Sequence, residues 1–552
     1  MPSVQVIAVP GAEGAGRLRV PGEPDRHVPD LAAAMAELER AHRPRWVLPA
    51  TDEVYPALLR SGVRLGRFHD LALTEGILLA CAGEPGRPRN LAAAVARLRG
   101  LPEPADRPPP SRAEQPALFE PERATVPAHG DPLDAAQAVL ADQQRRIDAD
   151  PAPLRLLVAA ESAGALAAAE MSHHGLPWRA DVHDALLTEL LGPRPAGGAR
   201  PVRLAELAEQ IAAAFGGTQV NPDAPASVVR AFKKAGIDVP STRAWVLREV
   251  DHPAVAPLLQ YKELARLWVA HGWSWLDTWV HEGRFRAEYV VGGVVSGRWA
   301  TRGGAALQLP KALRTAVRAD PGWVLVVADA AQLEPRVLAA LSGDRKLAEV
   351  STSVDLYASL AADSFDGDRA KAKVAMLSAM YGGTSGGAGP LLAVLRNRFP
   401  DAVGYVEQAA RAGEAGELVR SRLGRTSPPP SAAWRALTGS FEQDEGTERK
   451  SRQAARNWGR FTRNFVVQAS AADWALTVLA SLRRRLAATA PDAQLVFFQH
   501  DEVLVHCPAE RAATVASEVD SAAAEASRLV FGDTPVRFPL QAATVDCYAD
   551  AK

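Results

Sequence analysis

Three polar residues follow one another at a predicted turn near the C-terminus, namely His500, Asp501 and Glu502. They stand between two short apolar runs, Leu495–Phe498 and Val503–Val505, that predict β-strands. Tight turns between strands usually carry Gly or Asn instead. Two adjacent carboxylates belong either to a solvent-exposed turn or to a cation site, because a cation relieves the repulsion between like charges. A second carboxylate elsewhere in the sequence is needed to decide between an exposed turn and a cation site.

That second carboxylate is Asp329, at the end of the apolar run Val324–Val327. The run is typical of a buried strand. A helix is predicted to begin soon afterwards, with Pro335 in its first turn, where a missing N–H is tolerated. Asp329 could also be a helix N-cap and Glu334 a first-turn acid, so the pair alone leaves both interpretations open.

A third pattern places Arg369, Lys373, Leu377 and Tyr381 four residues apart. On a helix this spacing gives one face, cationic at its start and aromatic at its end. Cations bind phosphate and an aromatic ring stacks on a flat base, although a structural helix with two solvated basic residues is the alternative. Phosphate together with two separated aspartates predicts phosphoryl transfer assisted by two divalent ions held by Asp329 and Asp501.

The composition permits several domains and excludes some classes of protein. The chain has 552 residues, a net charge of −1 and three widely spaced cysteines, so neither a disulfide framework nor a zinc motif is predicted. No apolar run reaches membrane-spanning length, and the first residues do not resemble a signal peptide. We therefore expect a cytoplasmic protein, associated with the nucleoid if it binds DNA, with no membrane contact.

Periodicity divides the chain into segments. Residues 1–100 mix helical patterns with strand-like ones such as "SVQVIAV", "RWVLPA" and "GILLACA", whereas 101–130 is a Pro-rich linker. Residues 131–270 are predicted mostly helical, strands return in "RAEYVVGGVV" and "WVLVVAD", helices follow from 332 to about 485, and the C-terminus is β again. The predicted class is α+β.

These motifs resemble those of the family A, DNA polymerase I-like, DNA polymerases. Asp329–Arg336 is similar to D-Y-S-Q-I-E-L-R, Arg369–Gly382 to R-x3-K-x3-[FY]-x3-Y-G, and His500–Glu502 to H-D-E. Three shorter matches occur in the family's order, at residues 296–301, 307–310 and 463–473. The resemblance covers roughly 155–552.

The resemblance implies a right-hand fold within a polymerase domain at 131–552. The thumb would span about 155–270, the palm, with its antiparallel sheet, 271–344 and 466–552, and the fingers 345–465. Residues 1–100 would be a small α/β domain in the place of the family's 3′–5′ exonuclease. That activity needs clustered acids beginning with D-x-E on a first strand, and the segment has no D-x-E. We expect it to be degenerate and inactive.

The resemblance also implies residue roles in a polymerase that uses two Mg²⁺ ions, or Mn²⁺. Metal binding would fall to Asp329, Asp501 and the main-chain carbonyl of Ala330, with Glu502 in support. The dNTP would contact Arg369, Lys373, Leu377, Tyr381, Gln332, Tyr357 and Glu334, the last as a steric gate against the ribose 2′-OH. Primer-template DNA would contact Arg298, Gln308, Arg460, Asn464, Gln468 and His500.

Several positions depart from the family pattern. The motif B aromatic is Leu377, and the family's D-I-H stands as Asp355-Leu356-Tyr357. The metal ligands are retained while the nucleotide pocket has changed, so the resemblance implies a slow or specialised polymerase. In the linker, Gln115, Leu118 and Phe119 are similar to Q-x-x-L-F peptides that dock on the bacterial sliding clamp.

Four functions remain in competition on the sequence. Template-directed DNA synthesis by a monomer, in repair or gap filling and without proofreading, is the leading prediction. A DNA-binding repair factor that has lost catalysis is the alternative favoured by Leu377 and Tyr357. A single-subunit RNA polymerase is disfavoured by Glu334 and Glu502, and a nuclease by the lack of acids in residues 1–100.

Overall fold

The computed structural model describes residues 4–106, 130–304, 306–382, 388–439 and 445–551. They form two compact units. The first unit comprises Met1–His173, Tyr289–Ala300 and Val326–Ala543, and the second His174–Glu288, Thr301–Leu325 and Thr544–Lys552. Both sheets and helices are present, which confirms the predicted α+β class.

The first unit opens with a five-stranded mixed sheet in the order β3-β2-β1-β4-β5. Its strands are β1 (Gln5–Pro10), β2 (Gly16–Arg19), β3 (Arg26–Val28), β4 (Arg45–Leu48) and β5 (Arg67–Asp70). Strands β1, β4 and β5 are parallel, whereas β2 and β3 pair antiparallel on the other side of β1. A small α/β domain is therefore present at the N-terminus, as predicted.

Helices cover both faces of this sheet, because alternate residues of β1 point to opposite sides. The helices are α1 (Leu31–His42), α2 (Thr51–Arg60), α3 (Leu71–Cys81), α4 (Leu91–Leu98), α5 (Pro132–Ala149) and α6 (Leu154–His174). Val6 and Ala8 lie in one core with residues of α1, α2 and α6. Ile7 and Val9 lie in a second core with residues of α3, α4 and α5. The sheet is thus completed by helices beyond the predicted linker.

One predicted strand in this region is wrong. The segment "GILLACA" belongs to α3, which begins after Asp70, whose carboxylate accepts the N–H of Leu73 at 2.8 Å. A short apolar run fits a buried strand or a buried helix equally well, so its periodicity could not decide. The cap before it selects the helix.

The second unit is mainly helical, as predicted for this part of the chain. Its elements are β6 (Leu176–Pro177), α7 (Ala180–Leu191), α8 (Val202–Ala214), α9 (Pro225–Lys234), α10 (Ala244–Leu247), α11 (Val255–His271), α12 (Trp273–Trp279), β7 (Val280–His281) and β8 (Arg284–Phe285). Trp178, Trp275 and Phe285 pack together, with ring centroids 4.9–5.8 Å apart. A side chain at Gly303 would collide with the ring of Trp279, which explains the glycine.

The remaining elements begin with β9 (Tyr289–Val290), β10 (Ala300–Thr301) and β11 (Trp323–Ala330). Eight helices follow: α13 (Leu333–Ser342), α14 (Arg345–Val350), α15 (Leu356–Ser364), α16 (Arg369–Tyr381), α17 (Ala388–Arg398), α18 (Pro400–Glu414), α19 (Ala432–Thr438) and α20 (Glu445–Thr489). The described chain ends with β12 (Gln494–Gln499), β13 (Glu502–Pro508), α21 (Ala512–Phe531) and β14 (Leu540–Val545).

Strand β11 joins the three C-terminal strands in a four-stranded sheet of order β12-β13-β11-β14. The strand predicted in "RAEYVVGGVV" is limited to the two residues of β9, because Gly292 adopts a φ of +60° and turns the chain beside Glu161.

Helix α20 is the only described helix long and apolar enough to cross a membrane, judged by length and composition. Within its apolar window 89% is buried inside the fold, as in a core helix.

A buried charge network joins the N-terminal sheet region to α6 and α20 within the first unit. Arg483, on α20, donates to Glu170 on α6 at 2.6 Å and 3.0 Å, and to the main-chain carbonyl of Leu65. The hydroxyl of Tyr55 and the guanidinium of Arg64 also donate to Glu170. Arg483 and Glu170 are almost fully buried, so each depends on the other to offset its lost hydration.

We predict that Arg483→Met destabilises the first unit by about 3 to 5 kcal/mol, because it leaves the Glu170 carboxylate buried without its main counter-charge. The midpoint of urea unfolding measures the loss. Arg484→Met is the matched control, since the neighbouring Arg484 is exposed and pairs with Glu525. It should cost less than about 1 kcal/mol. Equal losses in the two variants would contradict the prediction.

Acid should weaken the same network. Burial alone would raise the pKa of Glu170, but the Arg483 and Arg64 guanidiniums outweigh it and lower the pKa to about 2. A lowered carboxyl pKa stabilises the fold above the unfolded-state pKa of about 4.3, and this contribution is lost as the pH falls towards 2. Unfolding midpoints between pH 5 and pH 2 should therefore converge for wild type and Arg483→Met.

Candidate active site

Two of the predicted site residues lie at adjacent strand ends. The main-chain N–H of Ala330, at the end of β11, donates to the carbonyl of Asp501 at 3.1 Å. Strand β11 neighbours β13 in the sheet, and its residues 325–328 are buried. Asp329 follows this buried run directly. The structure thus brings the two predicted aspartates together, and Gln332 rather than Asp329 precedes the next helix.

The turn that carries Asp501 is a tight hairpin. Strands β12 and β13 pair antiparallel with Gln499 opposite Glu502, so only His500 and Asp501 form the turn. His500 adopts a φ of +58°, which tight hairpins require. Glu502 is the first residue of β13 and is 5% exposed. Of the three polar residues in the motif, His500 and Asp501 therefore lie at the tip, with His500 exposed and Asp501 half-buried, and Glu502 lies in the buried strand.

The oxygens at these strand ends suit a hard divalent cation. Mg²⁺ prefers carboxylate and carbonyl oxygens, which Asp329, Asp501 and the main chain of Ala330 offer. Within the described ranges, no group of three or more His, Cys, Asp or Glu side chains could hold a metal ion. The candidate set is a pair of carboxylates with a main-chain oxygen, the kind of set that leaves positions for ligands from a bound substrate.

Helix α16 confirms the predicted four-residue stripe. It begins at Arg369 after Asp368, whose carboxylate accepts the N–H of Lys371 at 3.0 Å, and it ends at Tyr381 before Gly382 in a left-handed conformation. Its buried face consists of Ala372, Ala375, Met376, Ala379 and Met380. Arg369, Lys373 and Tyr381 are exposed and Leu377 is half-buried, so the stripe is the accessible face.

Glu334 connects the aromatic end of this stripe to the strand ends. Its carboxylate accepts hydrogen bonds from the Tyr381 hydroxyl and from the Arg298 guanidinium. Partial burial and the Glu334 carboxylate raise the pKa of Tyr381, to which Gln468 also hydrogen-bonds. The sequence contains each of these residues in a separate motif, and only the fold shows that they touch.

A small cavity of about 180 Å³ lies at this junction. Seven of its eleven lining residues belong to the predicted site, namely Arg298, Gln332, Glu334, Tyr357, Leu377, His500 and Asp501; the other four are Leu333, Pro335, Ala471 and Ala472. Partial desolvation and the Arg298 guanidinium lower the pKa of His500. The cavity therefore has an acidic end at Asp501 and an apolar wall at Leu377 and Tyr357.

The cationic start of the stripe has a partner that the sequence did not predict. Arg369 Nε donates to Asp355 Oδ2 at 2.8 Å, and its guanidinium carbon lies 5.7 Å from the ring centre of Tyr357. Tyr357 is 7% exposed. Burial, and then the Glu334 carboxylate, raise the pKa of Tyr357 to about 12, so its hydroxyl stays neutral. The feature of the sequence that could have pointed to Asp355 is its position immediately before a helix.

Gln332 occupies the turn between β11 and α13 in a left-handed conformation, with a φ of +55°. Its amide nitrogen donates to Asp355 at 2.8 Å, and its amide oxygen accepts the N–H of Leu356 at 2.7 Å. The predicted nucleotide contact thus uses both polar atoms of its side chain to hold the start of α15.

Arg336 is a further residue whose importance only the structure reveals. It is fully buried, and its five N–H groups donate to five main-chain carbonyls, those of Ala331, Ser351, Ser353, Val354 and Arg537. Three of these carbonyls belong to the segment that leads into α15. Arg336 therefore fixes that segment to α13.

The predicted DNA contacts are distributed over the fold. Arg460 packs against Gly382 at the end of α16, and Asn464 and Gln468 follow on α20, partly buried. Gln308 is exposed and belongs to the second unit, in the short helix Ala306–Gln308. The predicted clamp-binding residues Gln115, Leu118 and Phe119 lie outside the described residues.

A larger cavity, of about 730 Å³, lies wholly in the second unit. Four arginines line it, namely Arg179, Arg284, Arg286 and Arg318. Arg284 pairs with Asp320, and Arg179 with Asp181. Much of its positive charge is therefore already neutralised by carboxylates, and it contains none of the predicted site residues.

Comparison with known proteins gives a consistent result. The family model for DNA polymerase family A matches residues 201–544, which is more than half of the chain. DNA polymerase I of Chloroflexus aurantiacus is 25% identical over 297 residues, and thermostable DNA polymerase I of Thermus thermophilus is 29% identical over 327. These alignments cover 49% and 54% of this chain but only 30% and 37% of the relatives, so the chain matches about a third of their length.

The fold resembles a solved structure over its whole length. The POL domain of Pol1 from M. smegmatis, in complex with a DNA primer-template and dNTP, aligns with a TM-score of 0.73. The alignment covers 100% of this chain and 96% of that one, at 18% sequence identity. The likeness confirms the predicted right-hand fold with a small domain before it.

We predict that Arg336→Lys loosens the segment before α15, because the three N–H donors of a lysine cannot serve five carbonyls. Amide hydrogen exchange at residues 351–356 should accelerate by about tenfold or more, while the β12–β13 hairpin stays protected. Arg345→Lys, at an exposed arginine that starts α14, is the control and should change neither region. Unchanged exchange at 351–356 in Arg336→Lys would show that the carbonyl contacts do not hold the segment.

Proposed function

Because the chain belongs to DNA polymerase family A, we propose that it is a DNA-directed DNA polymerase. It adds dNTPs to a primer 3′ end by phosphoryl transfer. The observation that carries this proposal is the Ala330–Asp501 hydrogen bond, which places two carboxylates at adjacent strand ends beside the exposed stripe of α16. A binding protein has no need for that arrangement, whereas phosphoryl transfer requires acids and phosphate-binding cations within one site.

The divalent ions fit the donor set at these strand ends. Asp329, Asp501 and the carbonyl of Ala330 would hold them, with buried Glu502 supporting the hairpin from the first position of β13. Two Mg²⁺ ions, or Mn²⁺, when bound there, supply charge neutralisation to the attacking and leaving oxygens. The contribution of the protein is to keep the two carboxylates at a fixed separation through the sheet.

The nucleotide binds along α16. Arg369 and Lys373, both exposed, take the polyphosphate through charge-assisted hydrogen bonds. Tyr381 lies at the other end of the same face, where the base and its template partner belong. Leu377 stands between them and offers an apolar surface in place of an aromatic one. Its smaller contact area favours a slower enzyme.

Glu334 is the gate beneath the sugar. It lines the cavity with Tyr357 and Leu377, and its carboxylate is held by Tyr381 and Arg298. A carboxylate fixed from two sides cannot move aside for an additional hydroxyl. This rigidity supports preference for deoxyribose over ribose, and it disfavours the RNA polymerase alternative.

Primer-template DNA is the macromolecular partner. Arg298, Gln468 and His500 surround the strand ends and contact the primer terminus, where recognition depends on backbone and groove shape rather than on sequence. Arg460 and Asn464 continue this surface along α20. Gln308 makes a further DNA contact from the second unit.

Features of the N-terminal domain argue that the proposed polymerase does not proofread. Asp70 ends β5 but is 1% exposed, and its carboxylate accepts hydrogen bonds from Thr51 and Leu73. A carboxylate used in this way is a structural cap, not an open metal ligand. The proposed role of residues 1–100 is therefore structural.

Gap filling or repair suits such an enzyme better than bulk replication, because residues 1–100 carry no D-x-E motif for proofreading. We place it in the cytoplasm, at the nucleoid, as a monomer. The linker peptide with Leu118 and Phe119 provides a contact to the sliding clamp in this proposal.

Primer extension on gapped DNA with Mg²⁺ or Mn²⁺ tests the activity. Asp501→Asn and Asp329→Asn should each lower the extension rate by about 10³-fold or more, because each replaces a charged metal ligand by a neutral amide and so weakens charge stabilisation in the transition state by several kcal/mol. Asp492→Asn is the matched control, since Asp492 is exposed near the other end of β12. Wild type that binds DNA but extends no primer would instead establish the non-catalytic repair factor.

Discrimination against rNTPs tests the gate. Glu334→Ala should reduce the preference for dNTP over rNTP in kcat/KM by about 10- to 100-fold, because it opens space for the 2′-OH. Glu334→Gln keeps the volume without the charge and should retain most of the preference. If Gln relaxes the preference as much as Ala, the volume of the side chain is not the selecting property.

A further inference from the structure

The guanidinium of Arg369 is held from one side only. Asp355 Oδ2 accepts its Nε–H at 2.8 Å, and Tyr357 lies against it with the ring centre 5.7 Å away. The Arg369 side chain is nonetheless 53% exposed. Among the described residues, neither of its terminal nitrogens makes a hydrogen bond. The two groups suited to bidentate phosphate binding are therefore the ones that remain available.

Asp355 is itself fixed by several contacts. It is the N-cap of α15, where its Oδ1 accepts the N–H of Ala358 at 3.1 Å. The amide of Gln332 donates to the same oxygen at 2.8 Å. The main chain before it is held by Arg336, whose guanidinium donates hydrogen bonds to the carbonyls of Ser353 and Val354. One carboxylate oxygen thus anchors Asp355 and the other holds Arg369.

These contacts form a continuous connection to the catalytic strand. Gln332 stands three residues after Asp329, in the turn that follows β11, and Arg336 lies on the next helix. Through Gln332 and Asp355, the strand end that carries Asp329 is joined to Arg369 on α16 by two successive side-chain hydrogen bonds. The position of the guanidinium is therefore tied to the position of the carboxylate.

We propose that Asp355 is a positioning residue, which holds Arg369 by Nε so that its terminal nitrogens meet the nucleotide polyphosphate in register with Asp329. The inference rests on the proposed function and adds a residue to it. A guanidinium fixed in advance loses less side-chain freedom when the nucleotide binds. Gln332 acts in the same role, one contact further from the nucleotide.

Simple electrostatics predicts the opposite effect at this position. A carboxylate close to a polyphosphate repels it, so removal of the charge should strengthen nucleotide binding if Asp355 acts only through its charge. If Asp355 positions Arg369, removal should weaken binding. The sign of the change therefore separates the two roles.

The test compares Asp355→Asn with Asp368→Asn in primer extension. Asn caps helices as well as Asp, so both variants retain their helix caps. Asp368 is the matched control, because it caps α16 beside Arg369 but bonds Lys371 instead. We expect KM for dNTP to rise about tenfold in Asp355→Asn with little change in kcat, and to stay level or fall in Asp368→Asn. Equal behaviour of the two, or a lower KM in Asp355→Asn, would overturn the proposal.

Two further variants test whether the rise in KM comes from the lost Asp355–Arg369 contact and not from a change in folding. Asp355→Ser retains a cap but is too short to reach Arg369, so it should reproduce the rise in KM. In an Arg369→Ala background, Asp355→Asn should add nothing, because its effect passes through the guanidinium. An equal additional loss in that background would contradict the assignment.

Calorimetric titration with dATP or inorganic tripolyphosphate separates this inference from the proposed function. Asp355→Asn should bind either probe about tenfold more weakly than Asp368→Asn, whether or not wild type extends a primer. Failure of wild type to extend removes the proposed function alone. Equal affinities in the two variants remove the role of Asp355 alone.

Discussion

A main-chain hydrogen bond of 3.1 Å, from Ala330 N–H to the Asp501 carbonyl, aligns the two strand ends on which the site is built. The side chains of a strand alternate between its two faces, so a register shift of one residue would turn an aspartate from the site into the core. The pairing of Gln499 with Glu502 fixes the turn, and the buried run of β11 fixes the other strand. In the proposed site, the other residues act only if this alignment holds.

Helix α13 extends that alignment towards α15 and α16. A buried arginine is costly unless all of its donors are paired, and Arg336 pairs all five with main-chain carbonyls. Because carbonyls of residues 351, 353 and 354 are among them, the segment before α15 cannot move independently of α13. The same helix presents Glu334 to Arg298 and Tyr381, so one element organises both the cationic and the aromatic end of α16.

The two residues that depart from the family pattern, Leu377 and Tyr357, lie close together in the fold. Leu377 and Tyr357 line one cavity, so the aromatic ring that is absent at position 377 of α16 has a counterpart in Tyr357 on neighbouring α15. Tyr357 also lies against the Arg369 guanidinium, whose central carbon is 5.7 Å from the ring centre. In the N-terminal domain, Asp70 caps a helix. Its carboxylate is therefore part of the buried packing of that domain.

Local patterns by themselves determined much of this protein. The four-residue spacing from Arg369 to Tyr381, the apolar run before Asp329 and the two strands around Asp501 predict their elements correctly, because periodicity and caps act over a few residues. The same reasoning misassigned "GILLACA", since an apolar run of that length fits two structures. It could not join Glu334 to Tyr381 or Asp355 to Arg369, nor show that Arg336 is buried. Those contacts join residues far apart in the chain, and only tertiary packing decides which distant segments meet.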